Sequence, residues 1–262
     1  MITGAVIGFI IAVNTQVPIY GFFCAAIAGA LLSVIFALLT QYMMSNQVAT
    51  GLGLTMVGLG LSALIGKPYE GIKSPTLAKI EIPILSDIPI IGPMIFSHDA
   101  IVYFSIFVIA LVAFVINKTR IGLVLRAVGE NQEAAHALGY KVIRIRFIAI
   151  MFGGATAGIG GAYISLARVP QWTEGMTAGA GWIALALVVF ASWKPWRVLV
   201  GAYLFGGITV LQLNLQAIGV AIPVEILSMS PYLVTIVVLV GISLFGHHTA
   251  PGSLARPFHA SQ

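Results

Sequence analysis

The sequence predicts an all-α polytopic membrane protein with about eight transmembrane or half-membrane helices. Of its 262 residues, 59% are hydrophobic and only 8% are charged, whereas soluble domains carry about 25% charged residues. Residues 1–66 contain no Lys, Arg, Asp or Glu, and charge-free apolar runs of ~20 residues are what a bilayer core requires. The composition therefore excludes a soluble enzyme, a nucleic-acid-binding protein and a secreted disulfide scaffold. The single cysteine, Cys24, lies within an apolar run.

The apolar runs predict helices, because every backbone amide must be satisfied inside a bilayer and the alternating segments of a barrel are missing. The runs cover residues 2–13, 19–40, 48–66, 100–117, 147–167, 181–192, 198–216 and 230–246. The first run rises only ~18 Å at 1.5 Å per residue, against a core of ~30 Å. The run 181–192 is also short, so these two are expected to be partial spans.

Charge predicts the orientation of the spans. Residues 118–146 carry six Lys and Arg against two acidic residues, Glu130 and Glu133. By the positive-inside rule this segment is cytoplasmic. Because each crossing of the membrane changes the side, residues 67–99 are then expected outside and the tail, residues 247–262, inside. We expect a single transmembrane domain over residues 1–246, with the lipid bilayer as its surroundings and no nucleic-acid partner despite the net charge of +5.

The external segments offer candidate contact surfaces. Residues 67–99 contain five prolines, so they cannot form one helix, and residues 82–91 are predicted to be extended or to lie along the membrane interface. The segment is either a docking surface for an external partner or a connector. In the second external segment, Trp172 is either an interfacial anchor or part of a mouth.

No catalytic or metal-binding residue is predicted. The confident spans contain no His, Asp or Glu, so they lack both an intramembrane active site and the buried ionisable groups usual in proton-driven transporters. Glycine-rich stretches in residues 51–60 and 153–161 suit close helix packing. Uncharged polar side chains either line a solute path or bond between helices; they are Asn46, Gln47, Thr50, Gln212, Asn214 and Gln216.

One short helix is predicted within the basic segment. Asn131 is an N-cap, Glu133 falls in the first turn, and Gly139 suits the position after the C-cap. The alanines between them favour helix. An isolated helix of two turns is marginal in water, so it packs either on the loop ends of its own chain or on another protein.

Three stretches carry a family resemblance. Residues 129–139, with Glu133-Ala134-Ala135 and a glycine four residues later, resemble the cytoplasmic coupling loop of ABC importer permeases. Residues 125–131 followed by Glu133-Ala134-Ala135 resemble the branch for simple sugars, nucleosides and branched-chain amino acids. Residues 173–184 followed by Trp193-Lys194-Pro195, and residues 46–52, are similar to its simple-sugar and nucleoside members.

The resemblance implies an ATP-driven importer of the bacterial or archaeal cytoplasmic membrane. This chain would be the non-catalytic permease subunit for a simple sugar or nucleoside. Its partners would be an ATPase that carries ATP and Mg, a second identical or different permease subunit, and an external solute-binding protein. The chain itself would hold no cofactor. The implied ATPase-coupling residues are Gly129, Glu130, Asn131, Glu133, Ala134, Ala135 and Gly139.

Two alternatives stay open: a branched-chain amino-acid permease of the same class, and an energy-independent channel or facilitator. Family members usually begin with a further helix and an Asn-Ile-Gly-Leu-Glu-Gly-like stretch before the region matched by residues 1–12. That departure and the short first run lead us to expect a start truncated relative to the family.

Overall fold

The computed structural model describes residues 1–81, 97–177, 179–219, 223, 226, 229–230, 233–234, 236–237, 240–241 and 250–258. Most of these residues are helical, which confirms the all-α fold class. The helices are α1 (Ile2–Thr15), α2 (Pro18–Ala37), α3 (Gln47–Gly66), α4 (Ala100–Lys118), α5 (Arg120–Glu130), α6 (Gln132–Ala137), α7 (Val142–Tyr163), α8 (Ala180–Phe190) and α9 (Pro195–Ala217).

Two helices are prolonged by π-helical turns and one by a 3-10 turn. These extensions are Leu38–Tyr42 after α2, Ile164–Arg168 after α7 and Lys67–Tyr69 after α3. With them, five helices in the described part of the chain are long and apolar enough to cross a bilayer, as judged by length and composition; they cover Pro18–Tyr42, Gln47–Tyr69, Ala100–Lys118, Val142–Arg168 and Pro195–Ala217. Both runs predicted to be short, α1 and α8, are short helices.

The boundaries follow from local chemistry. Proline stands in the first turn of both α2 and α9, where its missing N–H costs no hydrogen bond. The side chain of Asn46 accepts hydrogen bonds from the backbone N–H groups of Val48 and Ala49, so α3 begins with an N-cap. Helix α7 begins at Val142, five residues before the predicted run 147–167. The eighth predicted run, residues 230–246, lies largely outside the described residues, although those described within it are helical.

The chain forms two compact units. The first contains Met1–Phe104, Ala127–Ala178 and Ala255–Gln262, and the second contains Ser105–Arg126 and Gly179–Leu254. In the second unit α9 packs on α8, where Gly201 lies against the ring of Phe190. The single domain predicted over residues 1–246 therefore has an internal division, and residues 255–258 of the predicted tail belong to the first unit.

Glycine contacts hold the first unit together. Gly158 of α7 lies against the backbone of Gly4 in α1 and of Ala25 in α2, and Gly154 lies against Gly29. Glycine permits this close approach because a Cβ at these positions would meet main-chain atoms. Helix α1 is consequently the most enclosed element of the unit's apolar core, whose buried residues are Ile2, Ala5, Val6, Phe9, Ala12, Phe22, Ala25, Ala162, Leu166 and Trp172.

Trp172 belongs to that core. Only 1% of its surface is exposed, and its indole packs against Gly66 at the end of α3. Its chain segment pairs with the start of the predicted external loop, through single bridges between Glu70 and Trp172 and between Lys73 and Gln171. The sequence led us to expect Trp172 either as an interfacial anchor or as part of a mouth. Its burial in the core agrees with neither expectation.

Further along the same loop, β1 (Lys79–Glu81) pairs antiparallel with β2 (Ser97–Asp99). The described part of the segment is thus irregular and extended, as its prolines predict. The extended stretch predicted at residues 82–91 lies outside the described residues.

Candidate functional site

Helix α6 has the caps that its sequence predicts. The side chain of Asn131 accepts a hydrogen bond of 3.0 Å from the backbone N–H of Ala134, and Gly139 adopts a φ of +86°. The backbone N–H of Gly139 donates to the carbonyl of His136 at 2.8 Å, and that of Tyr140 donates to the carbonyl of Ala135 at 3.1 Å. The left-handed glycine therefore ends the helix and turns the chain towards α7.

One face of α6 is bound by the chain itself. Ala135, only 2% exposed, packs with Val128, Val142 and Phe258 in a small apolar cluster. The ring of His136 meets the ring of Phe258 edge-on, with their centroids 5.3 Å apart. Ala135, one of the implied coupling residues, is therefore covered by its own chain.

Polar contacts join the same face to the tail. The Gln132 side chain donates to the carbonyl of Pro257 at 3.0 Å and accepts a hydrogen bond of 2.8 Å from the guanidinium of Arg146. Arg146 also donates to the carbonyl of Arg256 at 3.0 Å. We call residues 256–258 the tail strap, since they span α6 and the first turns of α7.

The opposite face of α6 is open. Glu133, Ala134, Ala137 and Leu138 are all exposed, and Leu138 has 75% of its surface uncovered. At 100° per residue these four positions lie across the helix from Gln132, Ala135 and His136. We call them the exposed α6 face.

The helix that precedes α6 was not predicted. Gly129 and Glu130, two of the proposed coupling residues, form the last turn of α5, and only Asn131 separates the helices. Thr119 caps α5 by accepting a 3.2 Å hydrogen bond from the N–H of Gly122. A threonine cap followed by apolar residues at 121, 124, 125 and 128 is the amphipathic pattern that would have indicated this helix. Helix α6 is accordingly not an isolated helix, because α5 directly precedes it.

The polar residues proposed for a solute path fall into two groups. Asn46 caps α3, and the Thr50 hydroxyl donates to the Asn46 carbonyl and bonds with Ser45, each at 2.8 Å. These side chains use their hydrogen bonds locally. The amide nitrogen of Gln47 is enclosed and has no hydrogen-bond partner among the residues that the structure describes.

The second group lies on α9, in the other compact unit. Gln212 and Gln216 are half-buried and Asn214 is exposed. Gln212 and Gln216 are one helical turn apart and share a face, whereas Asn214 points elsewhere.

A cleft in the first unit opens among the membrane helices. It has a volume of about 290 Å³ and is lined by α2, α3, α7 and the start of α1, with Thr3 and Ser33 among its polar residues. None of the six polar residues proposed for the solute path lines it. Within the described ranges, no group of three or more His, Cys, Asp or Glu side chains is placed to hold a metal ion.

The described residues form five helices long enough to cross a bilayer, and they expose extensive apolar surface. These features define a polytopic membrane protein, in which the capped helix α6 lies between two of the long helices in the chain. The chain belongs to the family described as "Branched-chain amino acid transport system / permease component", whose sequence model matches residues 1–242. It is an ABC transporter permease and a multi-pass protein of the cytoplasmic membrane. Permease components of this class are generally non-catalytic subunits.

Curated relatives cover most of the chain. TsgC13 of Haloferax volcanii, provisionally named a glucose ABC transporter permease protein, is 36% identical over 91% of this chain and 79% of its own length. The guanosine ABC transporter permease protein NupQ of Bacillus subtilis is 34% identical over 92% of this chain and 77% of its own length. The nucleoside ABC transporter permease protein NupC of Lactococcus lactis is 32% identical, with coverages of 86% and 74%. No solved structure matches the chain significantly.

Proposed function

We propose that this chain is the permease subunit of an ATP-driven importer and forms the membrane path for a nucleoside or a simple sugar. The observation that carries the proposal is the exposed α6 face, held in position by the chain's own contacts on the other side. A short helix with one face fixed and the other exposed is suited to transmit a push from a partner. The names of the relatives support the class of solute.

The partner at this face is an ATPase, which binds ATP and Mg and carries out the hydrolysis. Its contact is formed by Glu133, Ala134 and the neighbouring exposed residues of α6, while Asn131 and Gly139 fix the ends of the helix. Gly129 and Glu130 contribute from α5. Ala135 supports the helix from behind. Residues 118–146 and the tail accordingly face the cytoplasm.

Nucleosides and sugars fit the spans better than amino acids do. An amino acid carries an ammonium and a carboxylate group, and burying either without a charged partner is costly. Residues 1–66 provide no charged side chain. Uncharged hydroxyls and rings can be bound by amides, hydroxyls and aromatic side chains, which the described spans offer between their ends, whereas the charged side chains of these spans lie near the ends.

On the outer side, an external solute-binding protein docks on the surface formed by residues 67–74 and 170–174. Lys67, Glu70, Lys73 and Glu174 are exposed there. The backbone N–H of Ser74 donates to the carbonyl of Pro170 at 3.1 Å, which ties the two segments into one surface. A second permease subunit, identical or different, completes the path.

The test is reconstitution of the chain in proteoliposomes with its ATPase, second permease subunit and binding protein. We expect ATP-dependent accumulation of tritiated guanosine or glucose, and none of leucine. Uptake of leucine with neither of the others would overturn the solute class and favour the branched-chain amino-acid alternative. Equal uptake with and without ATP would favour a facilitator.

A further inference from the structure

We infer that the tail strap, residues 256–258, is a positioning element that couples α6 to α7. It fastens the back of α6 to the first turns of α7, so that a displacement of the exposed α6 face moves α7 as well. This inference rests on the proposed function, because it takes the exposed α6 face as the ATPase contact. It adds a role for a segment that lies 119 or more positions from α6 in the sequence.

The contacts of Phe258 carry the first part of the argument. Its side chain is 6% exposed and packs with Ala135 of α6 and Val142 of α7, as well as Val128 of α5. The ring is thus buried in a cluster to which three consecutive helices contribute. Removing it would leave a void among small side chains, which cannot move together enough to fill the space of a ring.

The hydrogen bonds carry the second part. Arg146 of α7 donates to Gln132 of α6 and to the carbonyl of Arg256, while Gln132 donates to the carbonyl of Pro257. Each of the three segments is therefore bonded to the other two. Bonds from a guanidinium are among the stronger hydrogen bonds in proteins, and a closed triangle resists sliding of any one member.

The geometry of α6 explains why the strap is needed. A helix of six residues is marginal without docking, and its connection to α7 contains Gly139, a flexible residue. Without the strap, a push on α6 would bend this connection instead of moving α7. The strap also lies on the face of α6 opposite the ATPase contact, so both can be occupied together.

The first experiment compares the Phe258→Ala variant with the unsubstituted chain, each in the reconstituted importer. We measure the amount of ATPase that co-purifies, the rate of ATP hydrolysis, and the uptake of tritiated guanosine or glucose, whichever the unsubstituted complex accumulates. Phe258→Ala should retain most of the ATPase. The ratio of solute taken up to ATP hydrolysed should fall roughly five-fold or more, which is the smallest effect that a typical coupling energy produces. Phe258→Leu, which keeps an apolar side chain in the cluster, should restore most of the ratio.

The matched control is Leu254→Ala, which shortens an apolar tail residue that is 49% exposed and outside the strap. It should leave association, hydrolysis and uptake unchanged. If Phe258→Ala lowers association and uptake equally, or changes nothing, the coupling role is wrong. If Glu133→Arg and Ala134→Leu leave ATPase association intact, the exposed α6 face is not the ATPase contact and the proposed function has failed instead.

A second experiment asks whether the strap stays fastened. His136→Cys and Pro257→Cys, which keep the Phe258 ring and the backbone carbonyl of residue 257, are combined with Cys24→Ala and joined by a short, reducible bifunctional thiol reagent. A positioning element should tolerate this link, with uptake close to that before cross-linking. Loss of uptake on cross-linking, with recovery on reduction, would show that the strap must detach during transport and would overturn the inference.

Discussion

At the scale of single residues, Ala134 and Ala135 have opposite environments although they are neighbours in sequence. Ala134 is exposed, whereas Ala135 is 2% exposed in the cluster with Phe258. Ala135→Leu should destabilise the permease itself, by roughly 1–3 kcal/mol, since the extra carbons overpack a closed site. The measurement is the thermal unfolding midpoint of the purified chain in detergent, without the ATPase.

Ala134→Leu is the matched control, because it adds the same atoms to the open face of the same helix. It should leave the unfolding midpoint unchanged and reduce ATPase association instead. Equal midpoints for the two variants would contradict the burial of Ala135.

Gly139 gives a second prediction at this scale. Its φ of +86° lies in the left-handed region, where a residue with a Cβ is strained by about 1–2 kcal/mol. Gly139→Val should therefore weaken the end of α6 and lower the unfolding midpoint, whereas Gly139→Asn should be nearly neutral because asparagine tolerates this conformation. Identical midpoints for valine and asparagine would mean that the left-handed turn is not required.

Residue-level prediction from sequence succeeded where the cause is local. The cap at Asn131 and the turn at Gly139 depend on a few adjacent residues, and both were predicted. The burial of Ala135 and of Trp172 was not, because each is covered by a segment far away in the chain: Phe258 in one case, and the core around Gly66 and α1 in the other. No local pattern carries that information.

At the scale of elements, α7 presents two different glycine faces. Gly154, Gly158 and Gly161 lie against neighbouring backbone, whereas a Cβ at Gly153 would meet no atom of the described residues within 4 Å. Gly158→Val should force α7 away from α2 and destabilise the first unit by about 1–3 kcal/mol or more. The amount of permease in membranes should therefore fall. Gly153→Val should be tolerated. Similar membrane levels for the two variants would contradict this packing.

The helices were predicted from hydrophobic length, and their partners were not. Apolar runs located every long helix to within a few residues, because bilayer thickness sets their length. Helix α5 was missed, since it is amphipathic and contains Arg120 and Arg126, so a search for apolar runs passes over it. The glycine-rich stretches predicted close packing, but which glycines pack depends on the rotation of each helix.

At the scale of the whole molecule, the orientation of the basic segment can be tested by labelling. Tyr140→Cys, in a chain with Cys24→Ala, should be protected from an impermeant thiol reagent in intact cells and react after the cells are opened. Tyr140 is chosen because it is 40% exposed and lies outside the exposed α6 face proposed as the ATPase contact. Glu174→Cys, on the opposite side, should react in intact cells. Labelling in the reverse pattern would overturn the orientation.

Composition alone predicted the class of molecule, since so few charges cannot cover a water-exposed surface. The division into two units was not predicted, because it depends on which helices pack together. A hydropathy profile gives the position and length of each apolar run but not its packing partner. The packing of residues 255–258 in the first unit was not predicted either, because the sequence of a short tail does not indicate which part of the chain it contacts.

The enclosure of α1 imposes an order on biogenesis. Gly4 rests on Gly158, and at about 5–20 residues per second the ribosome needs roughly 8–30 s to synthesise the chain between them. During that interval α1 has left the ribosome but lacks the helix that completes its surroundings. In that interval α1 can pack on α2 and α3, but the surface that it presents to α7 stays uncovered while α4 enters the membrane. A pause or an error in making α7 exposes α1 to proteolytic quality control, although the two helices are separated by most of the first unit's sequence.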